Sequence, residues 1–286
     1  DVSGWTKIDE VPFDFERRRV SVLVERGADR LLIVKGAPED VLRLCTHYEC
    51  DSCLRPPDGR QQPKTFDTEA QAQVRALFDR LGADGFRVLA VATKREPETL
   101  VDAVVDDESE LVLAGFAAFL DPPKASAKPA LQALAASGVA VKIITGDNEQ
   151  VARHVFGELG IPVTGVLTGA EIGAMNDDAL RARVEDVNLF ARANPQQKNR
   201  VLLALKARGH VVGYMGDGIN DAPSLHTADV GISVDSAVDV AKQAAAMILL
   251  ENDLNVLYAG IREGRRTFGN VMKYIMMATS SNFGNM

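Results

Sequence analysis

From residue 111 onward the chain alternates between apolar, β-branched runs and segments with helical spacing. Leu111–Phe119 reads as a strand and 127–137 as a helix stopped by Gly138. A strand follows at 139–144, then a turn and a helix over 150–159. Further strands are expected at 163–167, 187–191, 211–215, Val230–Val234 and 247–250, with helices between them. This alternation predicts a parallel sheet covered by helices on both faces. Such sheets bind ligands beyond the carboxyl ends of their strands, so functional loops are sought just after the apolar runs.

Residues 1–110 read differently. The runs at 20–24 and 31–34 flank the turn-like stretch Glu25-Arg26-Gly27-Ala28-Asp29-Arg30, which predicts a hairpin. Pro38 opens a short helix, Asp67 caps a longer one, and residues 86–92 alternate like a strand. Hairpins mixed with helices imply an α+β domain with an antiparallel sheet. Residues 50–66 read as a loop.

Composition narrows the function. With 46% hydrophobic and 25% charged residues, the 286-residue chain has the balance of a globular protein. The formal charge of -8 argues against a general nucleic-acid coat, which needs excess Lys and Arg. No run of 18 apolar residues is present, so no segment reads as a bilayer span by itself. Three cysteines exclude a disulfide scaffold and suit a reducing, cytosolic setting. Residues 253–286 predict a capped helix with Arg262, Arg265, Arg266 and Lys273, then Ile275, Met276 and Met277. That order suits a cytosolic stalk approaching a membrane, or an ordinary terminal helix with a basic face.

Four loops carry the chemistry. Gly216-Asp217-Gly218-Ile219-Asn220-Asp221-Ala222-Pro223 follows a strand. Its carboxylates, four apart around a turn, suit a Mg²⁺ ion that bridges to phosphate, although a lone Gly-Asp-Gly is equally a tight turn. In Thr145-Gly146-Asp147-Asn148 the Thr hydroxyl and the amides can bind phosphate oxygens. Lys198 lies in the first turns of a helix, where the dipole disfavours a cation unless it faces an anion. Lys35-Gly36-Ala37-Pro38-Glu39 joins a strand to a helix, and Gly36 is read as leaving open space for a ring or a triphosphate. Phe13 and Phe15 could supply an aromatic platform, and core phenylalanines are the plainer reading.

With Asp121-Pro122-Pro123-Lys124, and in this order, these elements resemble the phosphorylation domain of P-type cation-transporting ATPases, within the haloacid dehalogenase superfamily. Phe13, Lys35–Glu39 and Asp84-Gly85-Phe86-Arg87-Val88-Leu89 resemble the nucleotide-binding domain inserted into it. Pro12–Arg19 and the stretch from Arg265 to Gly284 look most like magnesium-transporting pumps, with calcium pumps as the runner-up.

The resemblance implies a Rossmann-like parallel sheet of haloacid dehalogenase type over 111–252. It implies an α+β nucleotide-binding domain over 1–110 and a stalk over 253–286. Phe13 would stack on adenine, Lys35 and Gly36 would line the nucleotide pocket, and Arg87 would contact the ATP phosphates. Asp217 would ligate Mg²⁺, and Asn220 and Asp221 would hold that loop. Thr145, Gly146 and Asp147 would contact the phosphoryl group and Lys198 would neutralise it. ATP would phosphorylate an Asp, and hydrolysis of the acyl phosphate would drive cation transport through membrane helices of a cell-membrane protein.

The family's phosphorylated motif, Asp-Lys-Thr-Gly-Thr, is nowhere in the sequence. The resemblance places it upstream of Asp1, so these residues alone are expected to be inactive. Two other classes compete. A soluble phosphatase would need its own Asp-x-Asp after the first parallel strand, and Asp106-Asp107 precedes that strand instead. A non-catalytic nucleotide- or metal-binding module is the other. Cys45, His47, Cys50 and Cys53 also have zinc-like spacing but no second pair, and Cys45 fits the apolar face of the helix after Pro38, so ordinary thiols are expected.

Overall fold

The computed structural model describes residues 3–14, 16–49 and 63–284. The chain separates into two compact units, Asp1–Asp121 and Pro122–Met286.

The first unit is built on one seven-stranded sheet. It comprises β1 (Thr6–Asp14), β2 (Arg19–Arg26), β3 (Asp29–Gly36), β4 (Cys45–Tyr48), β5 (Lys64–Thr65), β6 (Arg87–Glu96) and β7 (Leu111–Phe119). Their order across the sheet is β1-β2-β3-β6-β7-β4-β5. All neighbours are antiparallel except β4 and β7. The expected hairpin is β2 and β3, in unbroken register from Arg19↔Gly36 to Arg26↔Asp29. One face carries Leu23, Leu32, Val34, Ala90, Ala92 and Leu111, all fully buried. The helices α1 (Pro38–Leu42) and α2 (Thr68–Ala83) contribute Val41 and Ala70 to the same core. Asp67 caps α2 as its sequence implies, accepting a hydrogen bond from the Ala70 amide at 2.9 Å.

Two expectations are corrected here. Leu111–Phe119 was expected to open the parallel section, but β7 pairs antiparallel with β6 and completes the first sheet. The boundary therefore falls after Asp121, not at residue 110. Cys45, expected on the helix that follows Pro38, instead begins β4 and is buried in the core. Its thiol donates to the Val41 carbonyl at 3.3 Å, and burial pushes its pKa up to about 12. A thiol so held is a packing group, not a ready thiolate ligand. Cys50 and Cys53, like Phe15, lie outside the described residues.

In the second unit strands and helices alternate as expected, but the parallel strands form two sheets of three. β8 (Ile143–Ile144), β9 (Val166–Thr168) and β10 (Leu189–Ala191) make one, with β10 central. β11 (Gly213–Met215), β12 (Val230–Val234) and β13 (Met247–Leu249) make the other, with β12 central. Between them run α3 (Ala127–Ala136), α4 (Glu149–Leu159), α5 (Gly169–Ala174), α6 (Asp177–Arg183), α7 (Pro195–Ala207), α8 (Ala222–Thr227) and α9 (Asp239–Ala244). The final helix, α10 (Leu254–Gly284), packs against α3, and Arg265 donates to the Ser137 carbonyl at 2.6 Å. Phe268, Tyr274, Met276 and Met277 are exposed along α10. Among the described residues, no helix is long and apolar enough to cross a membrane.

Candidate functional site

The loops of the second unit sit just beyond strand carboxyl ends, as a parallel sheet predicts. The Thr145 amide donates to the Phe190 carbonyl at 2.8 Å, ending the β8–β10 ladder. The chain then turns on itself: Thr145 Oγ1 donates to Asp147 Oδ2 and accepts from the Asp147 amide, both at 3.0 Å. Asn148 accepts from the Val151 amide at 2.8 Å and caps α4. Gly146 is exposed between Thr145 and Asp147.

This loop is tied to the next one. Arg192 and Ala193, just after β10, donate their amides to the carbonyls of Asp147 and Thr145 at 2.9 and 3.0 Å. Arg192 holds a left-handed φ of 53°, a conformation uncommon outside glycine. A side chain at Gly169 would meet the Arg192 carbonyl at 2.1 Å, so only glycine fits there. Asn194 and Gln197 then form a reciprocal cap at the start of α7, which points Lys198 along its first turns.

Lys198 reaches the third loop. Its Nζ lies 2.8 Å from Asp221 Oδ1, and both side chains are largely buried. Tyr214, on β11, donates its hydroxyl to the same oxygen at 2.7 Å. Asp221 Oδ2 accepts from the Gly218 amide at 3.3 Å. Burial raises the Asp221 pKa, but hydrogen bonds from Lys198 and Tyr214 outweigh it and hold the carboxyl below its usual range. Burial, with Asp221 beside it, pushes the Tyr214 phenol well up. Gly216 is also fixed sterically, since a Cβ there would lie 2.5 Å from that of Asp221.

An anion facing Lys198 near the helix N-terminus is the Asp221 carboxylate. Asp221 is engaged by Lys198, Tyr214 and Gly218. Asp217 and Asn220 are exposed. Among the described residues, no three His, Cys, Asp or Glu side chains gather closely enough to hold a metal. Mg²⁺ typically takes one or two protein carboxylates and completes its shell with water and phosphate oxygens. Asp217 fits that partial role as a single exposed carboxylate.

The first unit offers a second surface. Lys35 pairs directly with Val91, and Arg87 stands four residues from Val91 on the same strand. Alternation thus puts Lys35, Leu89 and Arg87 on the face opposite the core, and all three are exposed. Arg87 Nη1 donates to Asp121 Oδ2 at 3.1 Å. Phe13, near the end of β1, is 54% exposed and is not a core phenylalanine.

Gly36 is corrected. It is buried, and a Cβ there would meet the Arg18 carbonyl and Arg19 Cβ at 2.5 Å. The space is filled by the protein's own chain and is not open for a ligand. The Ala37 amide donates to that Arg18 carbonyl at 3.0 Å, and Arg18 has φ 50°. Gly36 thereby latches the Lys35 loop onto the reversal that follows Phe13.

Tyr214 and Arg192 were not foreseen. An aromatic within a strand reads as core, and a left-handed arginine leaves no periodic signal.

The family comparison decides the first unit. Residues 2–126 match the family described as P-type ATPase, cytoplasmic domain N. The first unit is therefore similar to domain N of P-type ATPases. The match runs past β7, in agreement with the boundary after Asp121. Beyond domain N the likeness continues through the second unit. The chain is 50% identical over 283 residues to "Magnesium-transporting ATPase, P-type 1" of Salmonella typhimurium, covering 99% of this chain and 30% of that protein. It is 49% identical over 285 residues to the protein of the same name from Escherichia coli K12, covering 99% and 31%. It is 37% identical over 289 residues to "Probable cation-transporting ATPase F" of Mycobacterium bovis, covering 97% and 30%. The chain thus spans about 30% of the length of these relatives.

Proposed function

We infer that this chain is the ATP-binding and phosphate-handling part of a cation pump of the cell membrane, with Mg²⁺ as the transported ion. The observation that carries this reading is the Lys198–Asp221–Tyr214 centre, with the Thr145–Asp147 turn tied through the Arg192 and Ala193 amides to the segment that leads into α7. The 50% identity to a magnesium-transporting relative supports the choice of ion.

In this reading domain N takes ATP on its open face. Lys35 and Arg87 meet the phosphates and Phe13 packs on the base. In the second unit, Thr145 and the amides beyond it hold phosphoryl oxygens. Lys198 supplies positive charge while Asp221 and Tyr214 hold it in place. Asp217 would hold Mg²⁺, which supplies further charge neutralisation when bound. Such chemistry depends on positioning and electrostatics more than on covalent work by the protein.

The nucleophilic Asp comes from a segment outside these residues, and the chain alone forms no phosphoenzyme. Two features support this. β8 pairs only with β10 and β11 only with β12 among the described residues, so each is an outer strand with one open edge, as are β9 and β13. Ile144, on β8, and Val212, beside β11, each pack against the cores of both sheets. A parallel strand between β8 and β11 would join the two sheets and deliver an Asp at its carboxyl end.

The test is phosphorylation of the full-length protein by γ-labelled ATP. A hydroxylamine-sensitive acyl phosphate is expected there and none on the 286-residue chain. A stable acyl phosphate on the chain itself would contradict the reading.

A further inference from the structure

Beneath the open face of domain N lies a charged cluster that the nucleotide reading leaves unused. Alternation along β2 turns Ser21 and Leu23 toward the core, opposite in sense to Val20, the partner of Lys35. Glu108, between β6 and β7, reaches into this layer and is only 2% exposed. Its Oε1 accepts from Ser21 Oγ at 2.5 Å and from Arg17 Nη1 at 2.8 Å. Its Oε2 accepts from Arg19 Nε at 2.6 Å and from Arg17 Nη1 at 2.9 Å.

The same arginines bind the chain reversal that leads from β1 to β2. Arg17 Nη2 donates to the Pro12 carbonyl at 2.7 Å, and Arg19 Nη1 to the Arg17 carbonyl at 3.3 Å. Asp14 Oδ1 closes the turn by accepting from the amides of Glu16 and Arg17 at 2.8 and 2.9 Å. Phe13 stands near the end of β1, directly after the clamped Pro12 carbonyl and ahead of the reversal. Buried ion pairs return little net stability, because desolvating the charges offsets their attraction. Geometry is what such a cluster supplies.

We propose that Glu108 is a positioning residue for the nucleotide base: through Arg17, Arg19 and Ser21 it fixes the chain at Pro12 and at Arg17–Arg19, so that the Phe13 ring is held in place to stack. The proposal rests on the nucleotide reading of domain N. Glu108 acts from the far side of the sheet and touches no ligand.

The sign of one substitution separates positioning from electrostatics. Glu108→Gln removes a negative charge below the face and keeps the side chain's shape. If Glu108 acted only through its charge, ATP would bind more tightly and uncharged adenosine would bind unchanged. If it positions Phe13, both ligands weaken by about the same factor. Losing one pre-ordered stacking side chain corresponds to about tenfold.

The experiment is calorimetric titration of the chain and its E108Q form with MgATP and with adenosine. It is paired with backbone order parameters over Asp14–Arg18 without ligand. The expected result is a parallel loss of about tenfold for both ligands, with lower order in the reversal. Binding by the unaltered chain together with unchanged or tighter ATP binding by folded E108Q overturns this proposal alone. No binding by the unaltered chain overturns the nucleotide reading and this proposal with it. Should E108Q not fold, Ser21→Ala removes one donor without stranding a charge. A loss of about threefold for both ligands is then expected, and unchanged binding overturns the proposal.

Discussion

Lys198, in the first turns of α7, and Asp221, in the turn after β11, meet at 2.8 Å in the interior of the second unit. The pair joins the turn after β11 to the first turns of α7 and so links the two halves of this unit. Asp221→Asn keeps the shape and removes the charge, leaving the Lys198 ammonium near a helix N-terminus without its anion. Breaking a largely buried pair in this way costs about 3 kcal/mol. Urea unfolding of the second unit should show that loss, and an unchanged midpoint would refute the linking role.

Tyr214 shares the same carboxylate oxygen. Tyr214→Phe leaves the apolar packing in place and deletes one hydrogen bond to a charged acceptor. A destabilisation of about 1.5 kcal/mol is expected. Thermal unfolding followed by circular dichroism checks it, with no change in melting temperature counting against the bond.

Gly36 is the sharpest steric prediction. A methyl at this position meets backbone at 2.5 Å, so neither neighbour can swing aside. Gly36→Ala should cost about 2 kcal/mol or more in domain N. It should also displace the amide resonances of Arg18 and Arg19. Spectra showing neither shift would mean that the contact is looser than described.

These residues also show what the sequence can and cannot carry. The β2–β3 hairpin was legible because its pattern and its turn are local. β1 was not, since Thr6–Asp14 alternates only weakly and is mostly exposed at the sheet's edge. β7 looked like the start of a parallel section because its apolar run says nothing about its partner, which is chosen by non-local pairing. The Gly216–Pro223 loop stood out by its residues, but the role of Asp221 within it depended on Lys198 arriving from another helix. Gly36 was noticed for the wrong reason: proximity to its own chain, not to a ligand, requires glycine there. Glu108 gave no signal, because a lone acidic residue among Asp106, Asp107 and Glu110 reads as surface.

Acid should expose the Glu108 cluster. Burial raises this carboxyl's pKa, but hydrogen bonds from Ser21, Arg17 and Arg19 more than offset it and the net shift is downward. A lowered folded-state pKa contributes stability that is present above the unfolded value, about 4.3 for Glu. That contribution is lost as pH falls through the folded value. Domain N should therefore lose stability below about pH 4, and E108Q should lose less over the same range. Parallel acid-unfolding curves for the two forms would contradict the assignment.

The most direct test of the central claim is a titration of the chain with MgATP, followed by backbone amide resonances. The account predicts shifts centred on Phe13, Lys35 and Arg87, with the core-face residues Leu32 and Ala92 unmoved. No shift at millimolar ATP, or shifts away from that face, would contradict it.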